Sequence, residues 1–533
     1  MRALIGTLKV STQKFQTNPP TRDSLAFLVR ESFFTHLLDQ VDNFLATEDV
    51  MLEIMINDEI VQVEAAAVDS MLLTYLREQQ GLTGSKEGCA SGDCGACTVV
   101  MADLDEDSNL RYRQVNACIT PIHALHGKKI VTVEHLRQNG ELHPVQKAVV
   151  DNHGTQCGFC TPGIVMSLYA LSKQKNRPEN PADYLSGNLC RCTGYGPLID
   201  AANTIADANI EDPLSKDEDK LVNWMGSRAP QNTVNYWKPT NRQELGELRT
   251  NHPDAKLIAG GTDLALEVTQ QLQRIDKMID LSDVKDLQGI TKTKSGWRIG
   301  SAVLLSKLHT FMRAHYPSTD ELIERLGSLT IRNRGTLGGS LGHASPIGDI
   351  APLLISLNGR IEIDNGKEKR LYAPEDYITG YRETLIKADE WISAIHIPIL
   401  APNQKHAIYK ISKRFEDDIA TVVLAINLTF GNDNRIKACI LSAGGIAAKS
   451  VRLSQLESLF IGRHFTPELV RKVQKQVPNF ISPIGDVRGS AEYRVQLVKN
   501  LIQRFYLECN QIPTRLNTAT SATKKTTSDE VNQ

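Results

Sequence analysis

The sequence lacks the run of roughly 18–20 apolar residues that a membrane-spanning helix needs, so no span is predicted anywhere in its 533 residues. It also lacks a charge excess. Sixty Lys and Arg stand against 62 Asp and Glu, a net of −2, which leaves no polybasic footprint for nucleic acid or an anionic membrane. Cysteine is scarce: ten in the whole chain, far too few for a disulfide scaffold. Residues 1–30 hold no continuous apolar stretch, so a secretory signal is not predicted. What remains is an ordinary globular composition, 41% hydrophobic and 23% charged. The length suits roughly three to five domains.

The scarce cysteines are not scattered. Eight of the ten lie between positions 89 and 192, and clusters this tight read as metal ligation in a reducing, cytoplasmic compartment. Cys89, Cys94 and Cys97 stand in C-x4-C-x2-C spacing, and Cys118 follows twenty-one residues later. This is the plant-type [2Fe–2S] spacing. Its glycines serve a loop that must turn N–H groups onto sulfide. A second set, Cys157, Cys160, Cys190 and Cys192, combines C-x2-C with C-x-C. Zinc suits the C-x2-C half, while C-x-C is unusual for it. Thiol pairs at helix N-termini suit a second, negatively charged cluster. Cys439 and Cys509 sit in apolar contexts and read as core residues.

Apolar alternation about an Asn57-Asp58 turn predicts a β-hairpin over 52–63, and 70–77 has helical spacing. Strands are predicted at 98–101, 111–118 and 129–133. From His143 the pattern turns helical, at 144–151, from Thr161-Pro162 onward, and at 197–208, with Thr161 as a cap and Pro162 in the first turn. Residues 209–235 are polar and read as a linker. Residues 256–264 give a short apolar strand, Gly260-Gly261, then Thr262 as a cap before a helix. Backbone N–H groups there could hold a pyrophosphate, although such a turn is more often only a turn. Residues 331–349 carry five glycines without helical or strand periodicity, which predicts close approach of backbone to a ligand. Further on, strands at 422–430 and 436–442 flank a Gly-Asn-Asp-Asn turn. Helices are expected near 468–476 and 491–507.

Three segments in order, 88–99 (GCASGDCGACTV), 157–163 (CGFCTPG) and 187–195 (GNLCRCTGY), resemble the two-cluster iron–sulfur region of the molybdenum hydroxylases, the xanthine dehydrogenase and aldehyde oxidase family. All eight cysteines match. The resemblance implies one [2Fe–2S] cluster on Cys89, Cys94, Cys97 and Cys118, and a second on Cys157, Cys160, Cys190 and Cys192 in a four-helix domain. It extends to the flavin domain of the family. By that match Leu257, Ile258, Ala259, Gly260, Gly261, Thr262, Asp263 and Leu264 wrap the FAD diphosphate. Thr336 and Asp349 contact FAD, Ile392 and Lys410 lie against it, and Glu416, Asp417 and Asp418 belong to a loop that tunes NAD access. Without the resemblance these acids read as a solvated turn. Ser340 and His343 depart from the family pattern.

The implied architecture is multidomain α+β. It comprises an atypical extension (1–50), a β-grasp ferredoxin-type domain (51–134), a helical cluster domain (135–209), a linker (210–235), a vanillyl-alcohol-oxidase-like FAD domain (236–404), an α+β flavoprotein C-terminal domain (405–510) and a disordered tail (511–533). A transit peptide is the alternative for the extension, and Met51 reads as a plausible start. No molybdenum domain follows, so the chain resembles the bacterial-type small subunit, with molybdopterin on a large partner chain in a heterotetramer. The implied activity is transfer of electrons from that partner through both clusters to FAD and NAD+, in oxidation of hypoxanthine or xanthine to urate. An aldehyde or another N-heterocycle is the alternative substrate. Such a chain places and tunes cofactors; no catalytic acid or base is assigned, and His343 reads as structural or surface.

Overall fold

The computed structural model of the chain describes residues 51–514, apart from 65, 66, 177 and 209. The extension at 1–50 and most of the expected tail lie outside the described residues.

The hairpin forms where apolar alternation placed it. Strand β1 (Leu52–Ile56) pairs antiparallel with β2 (Glu59–Val63), and Asn57 turns the chain at φ 59°, a conformation Asn tolerates. Strands β3 (Thr98–Leu104), β4 (Leu110–Asn116) and β5 (Lys129–Val131) complete a five-stranded sheet in the order β2-β1-β5-β3-β4. Leu52, Ile54 and Ile56 point to one face and bury Leu72 and Leu76 of the following helical segment. The strand expected over 111–118 ends at Asn116. Ala117, Cys118 and Ile119 form a 3-10 turn and are all buried. A strand would have sent alternate side chains to opposite faces; the turn packs all three inward.

The next unit is helical, with Pro144–Asp151, Thr161–Ser172 and Gly196–Asp207 and a short turn Val133–Leu136. Thr161–Ser172 is buried without interruption from Gly163 to Leu171, so it runs through the centre of the unit rather than along its surface. Thr161 is not the cap. Cys160 holds that position, and the Thr161 hydroxyl instead lies 2.7 Å from that of Thr155.

The expected linker is more than a spacer. Asp212 packs against Lys173, accepts from Tyr169 Oη at 2.9 Å and lies 3.3 Å from His143 Nε2. These partners outweigh burial and hold its carboxyl below the usual range. The helix Glu218–Gly226 then lays Leu221 and Met225 against Ala102 of β3.

Beyond it, β6 (Tyr236–Trp237), β7 (Lys256–Ile258) and β8 (Met278–Asp280) form a parallel sheet in the order β6-β8-β7. Strands β9 (Ile290–Lys292), β10 (Gly296–Gly300), β11 (Arg360–Asp364) and β12 (Lys369–Tyr372), the hairpin β13 (Ile378–Gly380) and β14 (Glu383–Thr384), and β15 (Trp391–Pro398) follow. Five of these make an antiparallel sheet, β12-β11-β15-β10-β9. The glycine-rich stretch has regular structure despite its lack of periodicity. It forms the helical turns Leu329–Arg332 and Leu337–His343, capped by Ser328 and Thr336. Its glycines had erased the side-chain periodicity that reveals a helix.

The last unit is an antiparallel sheet of β16 (Gln404–Ile411), β17 (Val422–Phe430), β18 (Ile436–Gly444) and β19 (Val451–Arg452). Along β17, Val423 and Ala425 face the core under the sheet β12-β11-β15-β10-β9, while Val422, Leu424, Ile426 and Leu428 face the helices Pro467–Phe480 and Ala491–Cys509. The period of two therefore serves two cores at once. Cys439 and Cys509 pack in the second, as expected. Among the described residues no helix is long and apolar enough to cross a membrane.

Candidate redox centres

The structure gathers the eight clustered cysteines into two quartets. Cys97 Sγ lies 3.3 Å from Cys118 Sγ, and Cys89 contacts Cys94 and Cys118. Cys157 contacts Cys192, and Cys160 contacts Cys190. Among the described residues no three His, Cys, Asp or Glu side chains converge tightly enough to hold a single ion.

The first loop is shaped to wrap something. Gly92 and Gly95 take φ 82° and 69°, and Ala90 takes 53°. The N–H groups of Ser91 and Cys94 both donate to Cys89 Sγ at 3.4 Å. Asn116 Nδ2 donates to Cys97 Sγ at 3.9 Å. A side chain at Gly88 would come within 2.7 Å of Cys94 Sγ. Donors aimed at sulfur favour thiolate over thiol, so the loop fits an iron–sulfur cluster. Hydrogen bonds from Cys118 and Cys94 hold Cys89 well below the ordinary thiol range, while those same hydrogen bonds, together with burial, push Cys118 and Cys94 upward.

In the second quartet Cys157 and Cys192 are exposed and Cys190 is buried. Tyr195 adopts φ 69° and accepts the Cys190 N–H at 2.9 Å. Burial opposes ionisation of Cys190, but the Thr193 hydroxyl, 3.2 Å from the sulfur, and nearby amides outweigh it. Burial and the neighbouring Cys190 push Cys160 up to about 12. The expectation of two pairs at helix starts holds for one of them. Cys160 caps Thr161–Ser172, whereas Cys190 and Cys192 precede the helix Gly196–Asp207 by an intervening turn.

The quartets are in direct contact through backbone. Cys94 O accepts the N–H of Leu189, which adjoins Cys190, at 2.9 Å. Gly163 packs so closely that a Cβ there would lie 2.1 Å from Gly95 O. Buried Asn188 locks the junction, accepting from Ser167 Oγ at 2.6 Å and donating to Gly95 O at 3.2 Å. On its other side the first loop meets the flavin unit. Gln270 Nε2 donates to the carbonyls of Cys89 and Ala90 at 3.0 Å each, and a side chain at Gly92 would strike Ile331. Asn333 Nδ2 donates to Gln114 O at 3.1 Å. Neither Asn188 nor Gln270 was legible as important, because their partners lie about ninety and one hundred and eighty residues away.

At the candidate flavin site, β7 leads into Gly260 and Gly261. A Cβ at Gly260 would lie 1.9 Å from Arg334 O, so only Gly fits where the two glycine loops cross. Gly261 takes φ 76°. Thr262 is not a cap, since Leu264 occupies that position before Ala265–Thr269. Thr336 accepts from Gly339 N at 3.0 Å. Gly342 leaves room, its nearest neighbour being Ile392 Cδ1 at 3.9 Å from a built Cβ. Lys410 Nζ lies 2.7 Å from Asp349 Oδ2 and also donates to Arg325 O at 2.8 Å. Asp349 Oδ1 is sealed from solvent and has no partner. Burial pushes this carboxyl up even though Lys410 opposes it. An unpaired buried acceptor fits a ligand hydroxyl. His343 pairs with Asp263, so the departing residue joins the two loops. Glu416, Asp417 and Asp418 form a turn around Asp417 at φ 47°, with Glu416 exposed and Asp417 and Asp418 half-buried. Burial and nearby Asp93 push Asp417 up to about 6, which places the turn near the first cysteine loop.

Comparison with known proteins assigns each unit. Models of a 2Fe-2S iron-sulfur cluster binding domain, a [2Fe-2S] binding domain, an FAD binding domain in molybdopterin dehydrogenase and a CO dehydrogenase flavoprotein C-terminal domain match residues 54–123, 132–203, 232–400 and 407–509. The chain is 31% identical over 509 residues to a xanthine dehydrogenase of Drosophila pseudoobscura pseudoobscura, covering 83% of this chain and 38% of that protein. It is 30% identical over 533 residues to a xanthine dehydrogenase of Emericella nidulans, covering 86% and 38%. The quinoline 2-oxidoreductase of Pseudomonas putida 86 aligns with a TM-score of 0.48 at 24% identity, over 52% of this chain and 98% of that one.

Two iron–sulfur domains followed by two flavoprotein domains define an iron–sulfur flavoprotein. The chain belongs to the molybdenum hydroxylase family and carries its FAD and 2Fe–2S domains. It spans 38% of the length of the two xanthine dehydrogenases above.

Proposed function

We propose that this chain is the electron-transfer chain of a xanthine dehydrogenase. On this reading a separate chain holds molybdopterin and oxidises hypoxanthine or xanthine to urate, and electrons leave this chain on NAD+ in the cytoplasm. The proposal includes the unit boundaries 51–134, 135–209, 236–404 and 405–510, and an assembly of two small and two large chains. The observation that carries it is the unbroken contact from Cys190 through the Leu189 N–H to Cys94 O at 2.9 Å, and from Cys89 O to Gln270 of the flavin unit at 3.0 Å.

When bound, the clusters supply one-electron steps and FAD supplies the exchange between single electrons and a hydride. The protein's own part is placement. Cys157, Cys160, Cys190 and Cys192 hold the outer cluster, and Cys89, Cys94, Cys97 and Cys118 the inner one. The backbone from Leu257 to Leu264, with Thr336, cradles the diphosphate; Asp349, Ile392 and Lys410 hold the rest of the cofactor. Buried Asp349 stays poised as an acceptor because Lys410 balances its charge.

The test is co-expression with a molybdopterin-binding chain and assay of xanthine-dependent NAD+ reduction. Xanthine-driven NADH formation, with flavin and iron–sulfur absorbance in this chain, is expected. Turnover of an aldehyde or N-heterocycle with none of xanthine overturns the substrate. A colourless chain with stoichiometric zinc overturns the cofactor reading.

A further inference from the structure

A cavity of about 740 Å³ lies between the ferredoxin-type unit and the flavin unit. Eight Lys or Arg line it against four Asp or Glu, in a chain whose net charge is −2. Most of the cations have partners. Arg111 and Arg113 share Asp103, Lys238 lies 2.9 Å from Asp283, and Lys307 pairs with Glu106. Two differ. Lys128 Nζ has no hydrogen bond or ion pair among the described residues. Arg334, 6% exposed, donates Nε to Gly260 O at 3.0 Å and has no ion pair.

Their charge is felt. Burial, with Lys238 and Arg334 beside it, pushes the Lys128 ammonium down to about 8, although Asp103 and Asp283 oppose this. Burial likewise lowers Arg334. Arg334 is buried and Lys128 half-buried, neither has a carboxylate within ion-pair reach among the described residues, and an enclosed cation without a direct partner is unfavourable; a guanidinium beside an ammonium matches the oxygens of an oxyanion. Of the residues assigned to FAD, Ala259, Gly260 and Thr336 line the cavity. Asp263, Asp349, Ile392 and Lys410 lie outside its lining.

We propose that this cavity binds a phosphate-class oxyanion, held by Lys128 and Arg334 at the junction of the iron–sulfur and flavin units. Its volume admits a nucleoside phosphate as well as the free ion. Titration calorimetry of the FAD-replete chain with inorganic phosphate, and separately with adenosine 5′-monophosphate, tests this. One saturable site is expected for at least one probe. Tighter binding of the monophosphate identifies a nucleotide, and equal binding identifies the free ion. Lys128→Met should weaken binding about tenfold or more with flavin content unchanged, and Lys128→Arg should restore it. Thermal melts check that each variant folds, and Arg334→Gln provides a second, independent loss. The proposal is overturned if neither probe saturates or if Lys128→Met changes nothing. It is also overturned if binding occurs only after FAD is stripped and FAD displaces the probe. A chain that takes up no FAD at all contradicts the flavin reading instead, and the same titration then still reads this site.

Discussion

The two cysteine quartets differ in how the protein encloses them. Cys97 and Cys118 are 1% and 3% exposed, whereas Cys157 and Cys192 stand at the surface. The inner quartet is walled by the helical unit on one side and the flavin unit on the other. The outer one has half a wall. Phe159 and Leu189, next to its cysteines in the chain, are 47% and 45% exposed, and exposed apolar side chains beside a site mark an interaction surface. The inner site is set by this chain alone. On the proposed function, a partner chain completes the enclosure of the outer one and delivers electrons there.

The comparison can be broken at the contact between the quartets. Gly163→Val should destabilise by about 3 kcal/mol, because the new side chain overlaps the Gly95 carbonyl and the core cannot expand freely. Gly158→Ala, with open space around it but φ 81°, should cost only about 1 kcal/mol. Denaturant midpoints check this, and equal losses would show that the Gly163–Gly95 contact does not hold the units together. Asn188→Leu strips Ser167, Gly95 and Thr98 of their partner and should cost about 2 kcal/mol, again by denaturation.

The difference in enclosure can be sharpened by thiol chemistry. In metal-free protein Cys157 and Cys192 should alkylate roughly tenfold or more faster than Cys97 and Cys118, since access of the reagent to buried sulfur limits the rate. Mass spectrometry after timed alkylation reads this, and uniform rates would deny the contrast. The smallest effect serves as a control far from both quartets. Ser393, His396, Lys369 and Arg298 outweigh burial to hold Glu362, in the flavin sheet, down at about 2. A depressed carboxylate contributes stability above its unfolded value of about 4.3, which is lost as pH falls toward the folded value. Glu362→Gln should flatten that acid limb by no more than about 1 kcal/mol and leave alkylation rates unchanged.

Much of this was legible in the sequence. Cysteine spacing named the quartets, since ligands must come from residue types that bind metal. The hairpins at 52–63 and 422–444 followed from alternation and turn residues. Other features depended on contacts the chain makes with itself over long distances. Asp212 sits in a stretch that reads as a spacer, and only the fold brings Lys173 and Tyr169 to it. Cys118 lies in a turn that local propensity assigned to a strand. The helix Leu337–His343 was hidden because glycine carries no pattern, and Thr161 and Thr262 lost their capping roles to neighbours. The solvated acidic turn at 416–418 gave no hint that Asp93 lies near Asp417.

The central claim is that two separate [2Fe–2S] clusters occupy these quartets. Electron paramagnetic resonance of the dithionite-reduced chain tests it most directly, comparing the parent with Cys160→Ser and Cys97→Ser. The account predicts two distinguishable signals in the parent, with Cys160→Ser removing one and Cys97→Ser the other. Survival of both signals in each variant, or one signal that either substitution abolishes in a folded protein, would contradict it.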